Sequence, residues 1–217
     1  MRLIFLKFEW NLKAEPYGHT VNRYIIILSF ILLLMPVDAR PDGIGMQGDS
    51  GCVCHGGSDS NILINVSGIP EEYIPSQVYN FSISANGGTK DSVGNASGGF
   101  RVLVDGGQLV IDGSQELEDG YTHTLDSNQQ RMWNGTWTAP VADDEGVNLI
   151  VHINLVDGDE TTSNDEWNSA SFLIAGPEYT GDTTPADVSG AITSTEMAIG
   201  LLSILLLVGF AWMSIRE

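Results

Sequence analysis

Residues 77–84 (QVYNFSIS) alternate Tyr79, Phe81 and Ile83 with Asn80, Ser82 and Ser84, the period of a strand with one buried face. Residues 147–155 repeat the pattern, with Val147, Leu149, Val151, Ile153 and Leu155 on one side and His152 and Asn154 on the other. The alternation predicts that the second side meets solvent or, at His152, solvent or a polar site. Further β-rich runs lie at 62–66, 100–104, 109–111 and 171–174, separated by turn clusters such as Asp105-Gly106-Gly107 and Asp157-Gly158. No useful window among them has the 3.6-residue period of a helix, and no internal repeat is present. The pattern predicts an all-β fold, a β-sandwich of about seven to nine strands over 61–175. Its core is expected to hold Tyr79, Phe81, Ile83, Phe100, Val102, Val104, Val147, Leu149, Val151 and Ile153.

Two apolar runs lie outside this region. Residues 24–35 (YIIILSFILLLM) are short for a bilayer span but have the length of a signal-peptide core. Arg2, Lys7, Lys13 and Arg23 precede them, and Val37-Asp38-Ala39 offers small residues at a cleavage site. Segment 1–39 is therefore expected to be a secretory signal with a long basic leader. Residues 197–215 (MAIGLLSILLLVGFAWMSI) carry no charge, and at 1.5 Å per residue they match a hydrocarbon core of about 30 Å. Segment 196–217 is expected to be one transmembrane helix, with Arg216 a cue for a cytoplasmic C-terminus. Between sandwich and helix, 176–195 is rich in Thr, Gly, Pro and acid and reads as a flexible stalk.

Charge sharpens this layout. The 217 residues include 9 Lys and Arg against 28 Asp and Glu, a net charge of −19. All of that excess lies between the two apolar runs, where Arg40, Lys90, Arg101 and Arg131 are the only basic side chains of Lys or Arg type. Such a surface excludes sequence-independent nucleic-acid binding, which needs a basic face to displace counterions. Such a surface stays soluble in salt and could hold divalent cations, a solvated acidic coat being the plainer reading.

Candidate chemistry is concentrated at 40–60. Cys52 and Cys54, the two cysteines of the chain, stand beside His55 in Gly51-Cys52-Val53-Cys54-His55-Gly56-Gly57. A c-type haem site is C-x-x-C-H, and this motif, C-x-C-H, is one spacer short. The same three residues could instead hold Cu or Zn, with His123, His152 or Met46 completing the shell, or the cysteines could pair as a strained, reducible disulfide. Haem, a metal ion and a disulfide or redox pair all remain open on these residues. Asp157-Gly158-Asp159-Glu160 and Asp143-Asp144-Glu145 are acidic turns with potential for Ca²⁺ but without EF-hand spacing. Four N-x-S/T sequons begin at Asn65, Asn80, Asn95 and Asn134, against roughly two expected by chance for 13 asparagines. Trp133 and Trp137 flank the last of them, as core residues or as a carbohydrate platform. The chain contains no G-x-S-x-G, H-E-x-x-H or phosphate loop, so no enzyme activity is expected.

The order of several elements resembles the Reelin-type (reeler-like) domain of prokaryotic membrane- or sorting-anchored surface proteins. These are Cys54-His55-Gly56-Gly57; Gly68-Ile69-Pro70 with Tyr73-Ile74-Pro75 and Tyr79; Gly98-Gly99-Phe100; His123-Thr124; Trp137-Thr138-Ala139-Pro140; Gly146; and Asp165-Glu166-Trp167. The resemblance covers about 51–175 and implies a Reelin-like β-sandwich outside the cell. Many such members carry C-x-x-C-H where this chain has C-x-C-H. The expected function is a membrane-anchored extracellular binding or adhesion module with a protein or glycan ligand. The alternative is a surface redox or electron-transfer protein with haem or a metal ion at Cys52, Cys54 and His55.

Overall fold

The computed structural model describes residues 40–88, 94–188 and 194–216. The expected signal segment 1–39, Lys90 and part of the expected stalk lie outside the described residues. The described residues fall into two compact units, one holding 40–88 and 94–188 and the other holding 194–216.

In the first unit nine strands are described: β1 Leu63–Ser67, β2 Val78–Asn86, β3 Gly98–Val104, β4 Gln108–Ile111, β5 Ser114–Leu117, β6 Gly120–His123, β7 Met132–Thr138, β8 Gly146–Leu155 and β9 Glu166–Ala175. They build two antiparallel sheets, β1-β2-β7-β4 and β5-β6-β3-β8-β9. The all-β sandwich expected from alternation is the observed fold. Phe81, Ile83, Phe100, Val102, Val147, Leu149, Val151 and Ile153 are all buried between the sheets, with Tyr79 and Val104 packed at the margin. Each fully buried aliphatic or aromatic side chain stabilises the fold by about 1.5–3 kcal/mol relative to exposure.

Both tryptophans beside the fourth sequon are core residues. Trp133 meets Phe100 edge-on at 4.9 Å, and its Nε1 donates to the Ser127 carbonyl. Trp137 stacks on Tyr79 at 5.7 Å, and its Nε1 donates to the Gly106 carbonyl. Neither indole faces solvent, so they form no carbohydrate platform.

Two of the local motifs lock one end of the sandwich. The Tyr79 hydroxyl accepts from the Ile74 N–H at 2.8 Å, and the Tyr73 hydroxyl donates to the Ala142 carbonyl at 2.8 Å. Ala139 and Ser76 close the Trp-Thr-Ala-Pro segment onto the same turn, through Ala139 N–H to Gln77 O and Ser76 N–H to Pro140 O. Beyond β9 the chain stays attached for a few residues, with Gly176 and Glu178 donating to the carbonyls of Glu145 and Asp143.

The second unit contains one described helix, α1, Ser194–Arg216. The continuous run of its described side chains, 197–212, is apolar and largely exposed. Among the described residues no helix is long and apolar enough to cross a membrane. The spanning segment expected from the sequence is not established by the fold.

Candidate functional site

Strand pairing places Thr122 of β6, Arg101 of β3, His152 of β8 and Ser169 of β9 in one row on the outer side of the five-stranded sheet. A row further along holds Gly99, Asn154 and Trp167. Alternation predicts solvent there, but Arg101, Thr122, His152 and Trp167 are at most 1% exposed and Asn154 is 7% exposed. The cover is the chain from Arg40 to Asn61, which lies over the sheet ahead of β1. The expectation that Asn154 faces solvent is thus corrected, and His152 occupies the polar alternative.

This cover is stitched down by polar contacts. Arg101 donates from Nε to Asp49 Oδ1 at 2.8 Å, from Nη1 to the Leu117 carbonyl at 2.5 Å and from Nη2 to the Glu118 carbonyl at 2.9 Å. The Ile44 N–H donates to Thr122 Oγ1 and the Met46 N–H to Glu118 Oε2. Asn128 Nδ2 donates to the Pro41 carbonyl, and Gln115 Nε2 to that of Asp42. His152 donates from Nε2 to the Asp49 carbonyl at 3.1 Å, which leaves Nδ1 to accept from the Ser169 hydroxyl at 2.6 Å. Burial pushes the His152 pKa below the ordinary histidine range, with the Arg101 charge acting in the same direction against the Asp49 contacts. Burial also lowers His123, whose ring receives the Phe100 N–H.

The cover ends in the Cys-His segment. Gly51 lies flat on the Trp167 ring with φ +103°, and a Cβ there would stand 2.2 Å from the indole, so both backbone angle and space require glycine. Trp167 Nε1 donates to the Gly56 carbonyl at 2.9 Å, and the Asp59 N–H donates to the Trp167 carbonyl. Between them, Val53–His55 forms one 3₁₀ turn. His55 Nδ1 lies 2.8 Å from Asp165 Oδ2, whose side chain is 2% exposed. With Nδ1 committed to that carboxylate, Nε2 is the nitrogen left for a ligand. The segments Cys-His-Gly-Gly and Asp-Glu-Trp, far apart in sequence, are therefore two halves of one corner.

The cysteines are both free thiols. Cys54 is exposed, whereas Cys52 is partly exposed as a residue but holds its thiol in the interior. Burial first, and the neighbouring Cys54 second, push the Cys52 pKa up to about 12. A protonated, withdrawn thiol is a poor nucleophile and a poor metal ligand. Among the described residues no group of three or more His, Cys, Asp or Glu is placed to hold a metal ion. His123 and His152, expected as completing ligands, are engaged under the cover, and Met46 caps Glu118 through its backbone.

The acidic turn 157–165 adjoins this corner. Its carboxylates bind the turn's own backbone: Asp157 Oδ1 accepts from the Asp159 N–H, Asp159 Oδ1 from the N–H and hydroxyl of Thr161, and Asp165 Oδ1 from the Asp157 N–H. The Thr161 N–H, then its hydroxyl, hold the Asp159 carboxyl below its usual range. These bonds shape the loop.

Arg101 and Asp49 escaped the sequence reading, and Asp165 entered it only through resemblance. A signal was present. Leu103 and Ile150 are apolar on the same outer side as Arg101, which is the mark of a sheet buried on both faces.

No family model matches the sequence, and no curated protein matches it. Among solved structures the chain is similar to a human F-spondin reeler domain (fragment 1), at 16% identity over 54% of this chain and 91% of that one, with a TM-score of 0.36. Fragment 2 of the same description gives 20% identity over 52% and 93%, with a TM-score of 0.33. A conjugative transposon lipoprotein from Bacteroides eggerthii DSM 20697 gives 17% identity over 52% and 98%, also with a TM-score of 0.33. The β-sandwich itself follows from the strand pairing within the two sheets.

Proposed function

We propose that this protein is a surface module, an acidic β-sandwich held outside the cell by α1, which binds a protein or glycan partner through its loops. The observation that carries the reading is the helix. Leu201, Leu202, Ile204, Leu205, Leu206 and Val208 are 54–67% exposed. Side chains of this size forgo about 1.5–3 kcal/mol each when left fully in water, and that cost supports an apolar surrounding for the helix. The uncharged run 197–215 supports the same reading from the sequence side. The net charge of −19 supports placing the sandwich in water rather than against an anionic surface.

Protease treatment of intact cells carrying the full chain, followed by alkaline extraction of their membranes, tests this reading. The sandwich should be removed from intact cells while the helix stays with the membrane. Protection until lysis would overturn the topology. Cells displaying the chain should also adhere to a matrix-coated surface better than cells without it, and equal adhesion would overturn the binding role.

A second reading rests on the His55–Asp165 contact, which orients an imidazole so that Nε2 faces away from its carboxylate. That geometry fits a metal-bearing group at His55. Exposed Cys54 fits it as well, but the withdrawn thiol of Cys52 does not fit a second thioether or thiolate. A visible absorbance spectrum and metal analysis of the full chain decide it, since a colourless, metal-free protein would eliminate the redox role.

A further inference from the structure

The four strands β1, β2, β7 and β4 contain no Asp, Glu, Lys or Arg, on a protein with 28 acids. Apart from Ser84, at 6% exposure, their outer face is open among the described residues and carries Leu63, Val78, Val110 and Met132 at 55–65% exposure among Asn, Ser and Thr. Three of the four strand asparagines in this sheet, Asn65, Asn80 and Asn134, open sequons, and all three are exposed. In the other sheet the strand asparagines Asn148, Asn154 and Asn168 open none.

Because side chains repeat every two residues along a strand, each sequon presents its asparagine and its hydroxyl on the same side. The middle residue turns inward: Val66 and Phe81 pack on the core, and Gly135 leaves room that a Cβ would lose to the Val110 carbonyl at 2.3 Å. The three sites also converge. Asn80 pairs across strands with Thr136, Asn134 with Ser82, and Ser67 with Ser82, whose hydroxyls meet at 2.9 Å. Diagonal neighbours such as Asn80 and Asn134 are about 7–8 Å apart. They border a shallow trough of about 460 Å³ whose lining includes Ser67, Asn80, Ser82, Asn134 and Thr136, with Asp112, just past β4, its one charged residue.

We propose that this face is a glycosylated surface, with N-linked oligosaccharide on Asn65, Asn80 and Asn134. The inference rests on the reading that the sandwich is displayed outside the cell, where such transfer occurs. The donor is an oligosaccharide carried on a lipid phosphate. The new bond joins the sugar's anomeric carbon to the asparagine Nδ2, and the bond from that carbon to the carrier phosphate breaks. The phosphate leaves with the electron pair, and one amide proton goes to solvent. The attached sugars cover Leu63, Val78, Val110 and Met132, which would otherwise leave a flat, uncharged sheet open to association with another copy.

The test expresses the full chain in a host that makes N-glycoproteins, maps glycopeptides by mass spectrometry, and measures protease accessibility on the same intact cells. Sugar on all three asparagines is the expected result. Ser67→Ala, Ser82→Ala and Thr136→Ala should each remove one glycan mass and leave the far-ultraviolet spectrum unchanged. An accessible domain with these asparagines bare, or modified only at Asn95, overturns the glycosylated face and leaves the display reading intact. A domain inaccessible on intact cells overturns both.

Discussion

The outer faces of the two sheets, built from the same two-residue alternation, have opposite fates. On the five-stranded sheet the polar row Thr122, Arg101, His152 and Ser169 lies under the chain from Arg40 to Asn61, and Arg101 is 0% exposed. On the four-stranded sheet Asn65, Asn80 and Asn134 stand in solvent beside exposed apolar side chains. A polar residue on an outer face is therefore either a connector to a third layer or a surface group. Which it is depends on whether another segment supplies hydrogen-bond partners.

The largest break in this contrast is Arg101→Ala. It removes a fully buried side chain together with the donors to Asp49 and to the carbonyls of Leu117 and Glu118, two residues that are themselves exposed, and hydrogen bonds to a charged group contribute about 1.5–3 kcal/mol. Since Asp49 is partly exposed, a total loss of about 3 kcal/mol is expected, with accelerated amide exchange across 41–56. A stability change as small as that of a surface variant would show that the cover contributes nothing to folding.

Asn154→Asp comes next. Asn154 Oδ1 is buried and has no hydrogen-bond partner among the described residues, so a carboxylate there finds no compensation. A loss of about 2 kcal/mol in chemical denaturation is expected. The equivalent change on the open face, Asn80→Asp, should stay within about 0.5 kcal/mol.

Acidification sharpens the comparison without mutation. His152 and His123 have folded pKa values below the unfolded value of about 6.5, so below that pH the unfolded chain binds more protons than the native one. Their stabilisation is complete above about pH 6.5 and is lost as pH falls toward the folded values. After correction for the intrinsic base-catalysed rate, the protection of amides 41–56 should fall between pH 7.5 and pH 5, while that of amides in β2 and β7 changes less. Replacing His152 by Gln should flatten that dependence; an undiminished pH response would place its origin elsewhere.

The smallest effect concerns the thiols. Brief alkylation of the native protein at pH 8 should label exposed Cys54 and spare Cys52, whose pKa is near 12, until the chain is unfolded. Equal labelling would mean that the Cys52 thiol is not held inside.

Alternation alone determined the all-β character of this protein, its longest strands and most of its core, because burying one side of a strand requires apolar residues at every second position. Phe81, Ile83, Val151 and Ile153 were legible for that reason. The short strands β5 and β6 were not, since Ser114–Leu117 and Gly120–His123 lack an apolar period and gain their pairing from β3. The C-x-C-H motif marked a special segment, but only tertiary structure joined His55 to Asp165, 110 positions away, and withdrew the Cys52 thiol. Likewise, the sequons were visible one by one, while their meeting on a single uncharged sheet was decided by the order β1-β2-β7-β4. Local spacing specifies which side of a strand a residue occupies; what lies on that side is settled by contacts between segments distant in the chain, which no local pattern encodes.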